Sequence, residues 1–219
     1  MLEKLAIFYS IESYSLEPSC LIMKLTTKFL RVHLAILAVL SLLSVSTTAL
    51  ANQTNPRLDT LFVKLNKAQT VRQAQLVEYE IMQIWNKSGN KEIDQRMNLA
   101  DTVMRNGSAQ EALEIMAVIT KEKPNFSEAW NLHATILFLM GKYKESLSSI
   151  DRTLALEPRH FGALIGKGHI FAQQKRFKEA LTVFKTARNL YPLHPRIYKH
   201  ITRLHQLIKI NDEHKRDFI

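Results

Sequence analysis

Glu111-Ala-Leu-Glu-Ile-Met-Ala-Val-Ile-Thr-Lys-Glu-Lys-Pro124, Glu145-Ser-Leu-Ser-Ser-Ile-Asp-Arg-Thr-Leu-Ala-Leu-Glu-Pro158 and Glu179-Ala-Leu-Thr-Val-Phe-Lys-Thr-Ala-Arg-Asn-Leu-Tyr-Pro192 are three versions of one phrase. Their prolines stand 34 residues apart, and the opening glutamates keep the same step. Ala112, Ser146 and Ala180 hold one register with small side chains; Leu113, Leu147 and Leu181 hold the next. Phe126, His160 and His194 follow the prolines at equal distance. A period of this length is one helix–turn–helix unit copied and stacked, each copy burying its apolar face on its neighbour. Residues 93–194 therefore read as three units, 93–126, 127–160 and 161–194, of an all-α solenoid.

Each unit shows where its helices start and stop. In the first, Leu99, Ala100 and Val103 make the expected buried stripe, Asn106-Gly107-Ser108 the turn with Ser108 as a cap, and Ala112, Leu113, Met116 and Ile119 the second stripe. In the second, Ser127 is the expected cap, Trp130 and Leu137 face the partner helix, and Met140-Gly141-Lys142 turns. In the third, Leu164, Gly168 and Phe171 lie on the first helix and Ala180, Phe184 and Ala187 on the second. Proline ends the second helix in all three.

The pattern resembles the tetratricopeptide repeat family, whose units carry Trp, Leu, Gly and Tyr, then Ala, Phe, Ala and Pro, at fixed offsets. The third unit matches at Gly168, Ala180, Phe184, Ala187 and Pro192, with Phe171 in the tyrosine slot. The second keeps Trp130 and Pro158, with Leu137, Ser146 and Ile150 as stand-ins; the first keeps Ala112 and Pro124, with Ala100 and Met116 in place. His133 and Lys167 depart in the leucine slot and Thr153 in a small-residue slot. The resemblance implies a superhelix of helical hairpins whose concave groove holds extended or helical peptides.

Before the array, Leu58, Leu61, Phe62 and Leu65 keep helical spacing, as do Leu76, Val77, Ile81, Ile84 and Trp85 after a capping Thr70. Residues 52–92 read as a degenerate hairpin closing the N-terminal end, as terminal repeats are atypical. Residues 195–219 read as a helix striped by Ile197, Ile201, Leu204 and Leu207/Ile208, sealing the other end, with a polar tail.

The N-terminal quarter has another character. Met23 opens a basic run with Lys24, Lys28 and Arg31; a dozen apolar residues follow from Leu34, and Ala49 and Ala51 give an A-x-A pattern. This reads as a secretory signal, 23–51, cleaved after Ala51, because the apolar run is short of the ~20 residues that span a bilayer. Residues 1–22 hold Glu3, Glu12 and Glu17 where a signal should begin, so the expected start is Met23. The sole cysteine, Cys20, precedes the signal, which leaves a mature chain without disulfide, thiol catalysis or thiolate zinc. That mature chain keeps 26 Lys/Arg against 17 Asp/Glu. Periplasmic or secreted localisation is the expectation, with no transmembrane segment after cleavage.

Catalytic signatures are missing: no glycine-rich phosphate loop, no G-x-S-x-G, no H-E-x-x-H. The histidines read as solvent-facing turn or helix residues, and no cofactor or metal is expected. Nucleic acid is not expected as a partner either, since few aromatics accompany the basic C-terminal helix. Binding of another protein or peptide has better support. The first helices of stacked hairpins line a concave face, and helical phase puts Asp94, Met97, Asp101, Met104 and Arg105, then Asn131, Thr135, Phe138 and Leu139, then Ile165, His169, Ala172 and Gln173 on it. Phe138 and Leu139 look superfluous for inter-helix packing, as a partner-binding patch would be. Leu132 and Gly166 stand where family members that clamp a C-terminal carboxylate need polar residues, so chaperone-tail binding is not expected. The expected function is a non-catalytic scaffold of the bacterial cell envelope; alternatives are a secreted factor acting on a host protein and an enzyme with an unrecognised His/Asp site.

Overall fold

A computed structural model describes residues 52–216, so the signal expected at 23–51 and the segment before it lie outside the described residues. Among the described residues the chain forms nine α-helices: α1 (Arg57–Lys67), α2 (Val71–Trp85), α3 (Lys91–Arg105), α4 (Ala109–Glu122), α5 (Ser127–Leu139), α6 (Tyr143–Leu156), α7 (Phe161–Gln173), α8 (Phe177–Leu190) and α9 (Ile197–Arg216). The pairs α3–α4, α5–α6 and α7–α8 are the three expected hairpins.

The turns repeat as faithfully as the letters. In each hairpin the third residue past the first helix donates its N–H five residues back: Ser108 to Val103, Lys142 to Leu137, Arg176 to Phe171. This closure needs a left-handed residue, supplied by Gly107 (φ +90°) and Gly141 (φ +74°); the third unit places Lys175 there at φ +59°. Between units, Phe126, His160 and His194 donate N–H to Lys123, Glu157 and Tyr191 across the proline turns. The real caps are Thr70, accepting from Gln73 N–H, Asn90, accepting from the N–H groups of Glu92 and Ile93, and His160, accepting from Ala163 N–H. Ser108 makes no cap bond. Ser127 lies buried inside α5, its hydroxyl 3.4 Å from Gln53 Oε1.

Burial follows the predicted faces with two exceptions. Leu76 is 61% and Leu99 51% exposed; Ala74, Ile93 and Met97 fill the inner positions instead. Ala100, Ala112, Met116, Ile119, Phe126 and Ile136 join the first two units, and Ala134, Ile150, Ala163 and Ile170 the second and third. Gly168 is required by its neighbour: a Cβ there would fall 2.7 Å from the Phe184 ring. The departures in the repeat pattern are compensated by pairs. His133 Nδ1 meets Ser149 Oγ at 2.9 Å, Lys167 Nζ meets Asp151 at 2.7 Å, and buried Thr153 donates to Ser149 O.

The hairpin α1–α2 does not pack as a cap on the first unit. Its Leu58, Leu61, Phe62, Leu65, Ile81, Ile84 and Trp85 share a core with Phe161 and Tyr191 of the third unit. Trp85 stacks on His160, centroids 4.2 Å apart and planes 10° apart. Arg159 donates to Asp59 at 2.6 Å, Asn66 to Asn189 O at 2.6 Å, and Tyr191 Oη to Glu78 at 2.9 Å. Gln53 donates to Asn125 O. The hairpin therefore runs along the edge where the units join, because the aromatic residues beside the proline turns offer the apolar surface that its own stripe must bury. At the far end α9 lays Ile197, Ile201 and Leu204 on Phe184 and Ala187. His200 stacks on Phe184 at 5.0 Å and meets His169 edge-on at 4.5 Å. Desolvation, with Arg196 and a second imidazole nearby, lowers His169 and His194 from 6.5 to about 4; His200 is lowered by desolvation, Arg196 and Arg203.

Two outcomes follow from this packing. Trp85→Ala should cost about 3–5 kcal/mol and raise amide exchange around Arg159–Leu164; exchange that rises instead around Ile93–Ala100 would contradict the edge-on position. Trp85→Phe should cost much less, since a ring stays on His160 and an unpartnered buried Nε1 is removed. Second, imidazoles that stay neutral in the fold but protonate when unfolded contribute stability that is complete above pH 6.5 and lost as the pH falls toward about 4. The melting temperature should drop through that window, with a shallower slope in His169→Gln.

Candidate functional site: three clefts on the first-helix face

The first helices α3, α5 and α7 leave three clefts between themselves and their neighbours. The widest, about 550 Å³, lies between α3 and the start of α5 and is bordered by Met82, Asn86 and Lys87 at the end of α2. Asp101 and Arg105 line it but are committed to each other at 2.8 Å. Met97 also borders it, yet Met97 is 7% exposed and belongs to the first core, and Met104 packs on that core. Neither methionine is a free groove residue; their side chains fill the α3–α4 seam instead.

The middle cleft, about 190 Å³, lies between α5 and α7. Buried Ala134, Ile150 and Ile170 form its floor, Phe138 and Ile165 its sides, and Asn131, Thr135 and His169 its rim. It is open because α7 carries Gly162 and Gly166 there. A Cβ on Gly166 would touch only Ile150 Cδ1, at 3.6 Å. Five of the residues predicted for the groove meet at this cleft: Asn131, Thr135, Phe138, Ile165 and His169. Phe138 is not idle, as it packs half-buried on Tyr143, centroids 5.7 Å apart. Leu139 is 62% exposed and lines none of the three clefts.

The third cleft, about 280 Å³, has a wall the sequence reading did not include. His169, Ala172 and Gln173 of α7 face His200, Arg203, Leu204 and Leu207 of α9 across Phe184. The last helix thus extends the groove as well as sealing the array.

Glu128 and His160, both absent from the predicted site, set its geometry. His160 Nδ1 accepts from Ala163 N–H at 3.1 Å, so Nε2 carries the proton and donates to Glu128 Oε2 at 2.8 Å. The other oxygen of Glu128 accepts from Asn131 Nδ2 at 3.0 Å. That turns Asn131 Oδ1 toward Gly162, at 4.0 Å from where its Cβ would be. His160 is thus a buried cap and bridge under Trp85, not a solvent-facing turn residue. Glu128 lies 32 residues before it, so neither letter points to the other without the fold. Thr135 bonds its own helix at Asn131 O. Among the described residues no three His, Cys, Asp or Glu side chains gather to hold a metal, and no helix is long and apolar enough to cross a membrane.

The arrangement is an apolar slot with an amide and a neutral imidazole at its rim. Residues 131–195 match the family model of the tetratricopeptide repeat. A TPR repeat-containing protein of Rhizobium etli is 35% identical over 136 residues, 62% of this chain and 67% of that protein. Among solved structures, MamA from Desulfovibrio magneticus RS-1 superposes with a TM-score of 0.50 at 24% identity, over 54% of this chain and 67% of that one. The Sgt2 TPR domain from Aspergillus fumigatus gives 0.54 at 10% identity, over 57% and 83%. The first TPR domain of RPAP3, solved bound to an HSP90 peptide, gives 0.52 at 14% identity, over 53% and 93%. These structural likenesses describe the fold. Three stacked hairpins in one 34-residue register, and a relative sharing 35% of aligned positions, make the chain a member of the tetratricopeptide repeat family, whose fold is a protein–protein interaction scaffold.

Proposed function

We propose that this chain is an exported adaptor of the bacterial cell envelope that holds a peptide segment of a partner protein along α5 and α7. The observation that carries the reading is the middle cleft: two glycines on one helix face hold open an apolar slot, about 190 Å³, with Asn131 and His169 at its rim. A cavity of that size admits one large aliphatic or aromatic side chain, with the amide and imidazole left for backbone groups of the same peptide. That RPAP3 holds a peptide with the same fold supports peptide capture. The occupant proposed here differs from a carboxylate tail, since Leu132 and Gly166 leave no polar clamp. Export rests on the basic, apolar and small-residue sequence of 23–51.

The test fills the slot without disturbing the fold. Gly166→Leu replaces a helix-interior glycine, which favours the helix by roughly 0.5–1 kcal/mol, and its side chain enters the space above Ile150. The variant should melt at or above the wild-type temperature yet lose the crosslinked partner that wild-type protein retains in the periplasmic fraction. An unchanged set of crosslinks would remove the cleft from the binding site.

A further inference from the structure

The chain's charge is concentrated at one end. Residues 52–157 carry 13 Lys/Arg and 13 Asp/Glu; residues 158–211 carry 11 Lys/Arg and a single acid, Glu179. Ion pairs account for part of the excess: Arg159 pairs with Asp59 and Glu157, Lys167 with Asp151, Arg176 with Glu179, Lys178 with Asp212 and Lys209 with Glu213. Among the described residues none reaches Lys185, Arg188, Arg196, Lys199 or Arg203. All five are exposed, on α8, on α9 or in the turn joining them.

The outer face of α9 adds apolar tips to this field. Ile197, Ile201 and Leu204 fix which side of the helix is buried. On the opposite side Lys199, Arg203 and Ile210 form one row and Tyr198, Thr202 and Lys209 the next, by the helical period. Tyr198 is 69% and Ile210 55% exposed. Cations beside an exposed tyrosine and isoleucine match the boundary of a bilayer, where phosphates meet the lysines and arginines and amphipathic rings sit at headgroup level.

We propose that the end of the solenoid formed by α8 and α9 docks on an anionic phospholipid surface. Net charge alone would suit a nucleic acid equally, but Tyr198 is the only Phe, Tyr or Trp on α9 among the described residues, and a single-stranded polyanion needs several stacking platforms. Docking through this end leaves the middle cleft free, because no residue of α8 or α9 lines it.

Co-sedimentation with vesicles tests this. Each cation near an anionic surface is worth about fivefold in partitioning. Wild-type protein should pellet with phosphatidylglycerol-rich vesicles at low salt, stay soluble with pure phosphatidylcholine, and be released at high salt. Lys185→Ala, Arg188→Ala, Arg196→Ala and Lys199→Ala together should lower partitioning at least about 100-fold with helical circular dichroism unchanged. Lys121→Ala, Lys142→Ala and Lys144→Ala, from the charge-balanced part, should lower it far less, and Gly166→Leu should leave it alone. Equal pelleting with neutral vesicles, equal losses in both multiple variants, or duplex DNA binding without vesicle binding would each overturn the proposal.

Discussion

Each hairpin closes on a pair of small residues, Ala100 with Ala112, Ala134 with Ser146 and Gly168 with Ala180, and every one of the six is buried. A small residue on each helix lets two backbones approach closely enough for larger neighbours to lock the pair from outside. Ser146 shows how close, since its hydroxyl reaches the main-chain oxygen of Ala134 at 2.7 Å. In the third unit the glycine surrenders its place to Phe184, which then meets His200 and shares a core with Ile197, Ile201 and Leu204 of α9. If these positions were bulkier, the hairpins would splay and neither the stack nor the clefts between its first helices would exist.

The same economy of side chains creates the site. Small residues repeated at the seam hold a unit shut, whereas Gly162 and Gly166, one turn apart on a half-buried face of α7, hold the space toward α5 open. The two sets of glycines on α7 are physically different. A Cβ on Gly168 collides with an aromatic ring; a Cβ on Gly166 finds ordinary contact with a methyl group. One is a demand of packing and the other a vacancy that packing does not need.

The period of 34 made the hairpins legible from letters alone, down to which helix ends on which proline. It was blind to contacts that obey no period. Trp85 on His160, Tyr191 on Glu78 and Arg159 on Asp59 join residues 75, 113 and 100 positions apart. An amphipathic stripe says that α1 and α2 must bury a face, not against what, and position in the chain suggested the first unit. Leu76 and Leu99 keep the helical period yet face outward, because Ala74, Ile93 and Met97 already fill the inner positions. The repeat supplied no warning that one edge of the array would be roofed by a hairpin from another part of the chain. Phase did bring Asn131, Thr135, Phe138, Ile165 and His169 to one cleft, since a concave face follows from geometry. It missed Glu128 and His160, which are joined across 32 residues, and Arg203, which lines the third cleft from α9.

That roof has a consequence for how the groove works. Trp85 presses on the imidazole that hands a hydrogen bond to Glu128, and Glu128 fixes the Asn131 amide at the mouth of the middle cleft. The rim of the cleft is therefore held by a chain of contacts that begins in α2, outside the three repeats. A fragment containing only residues 93–219 would keep the apolar slot, because Ala134, Ile150 and Ile170 are packed within the repeats. It would lose the ring that covers His160, admit water to the Glu128–His160 bridge and weaken it by screening. The apolar slot and the orientation of its amide are thus separable: the repeats supply the first, and the hairpin across their edge supports the second.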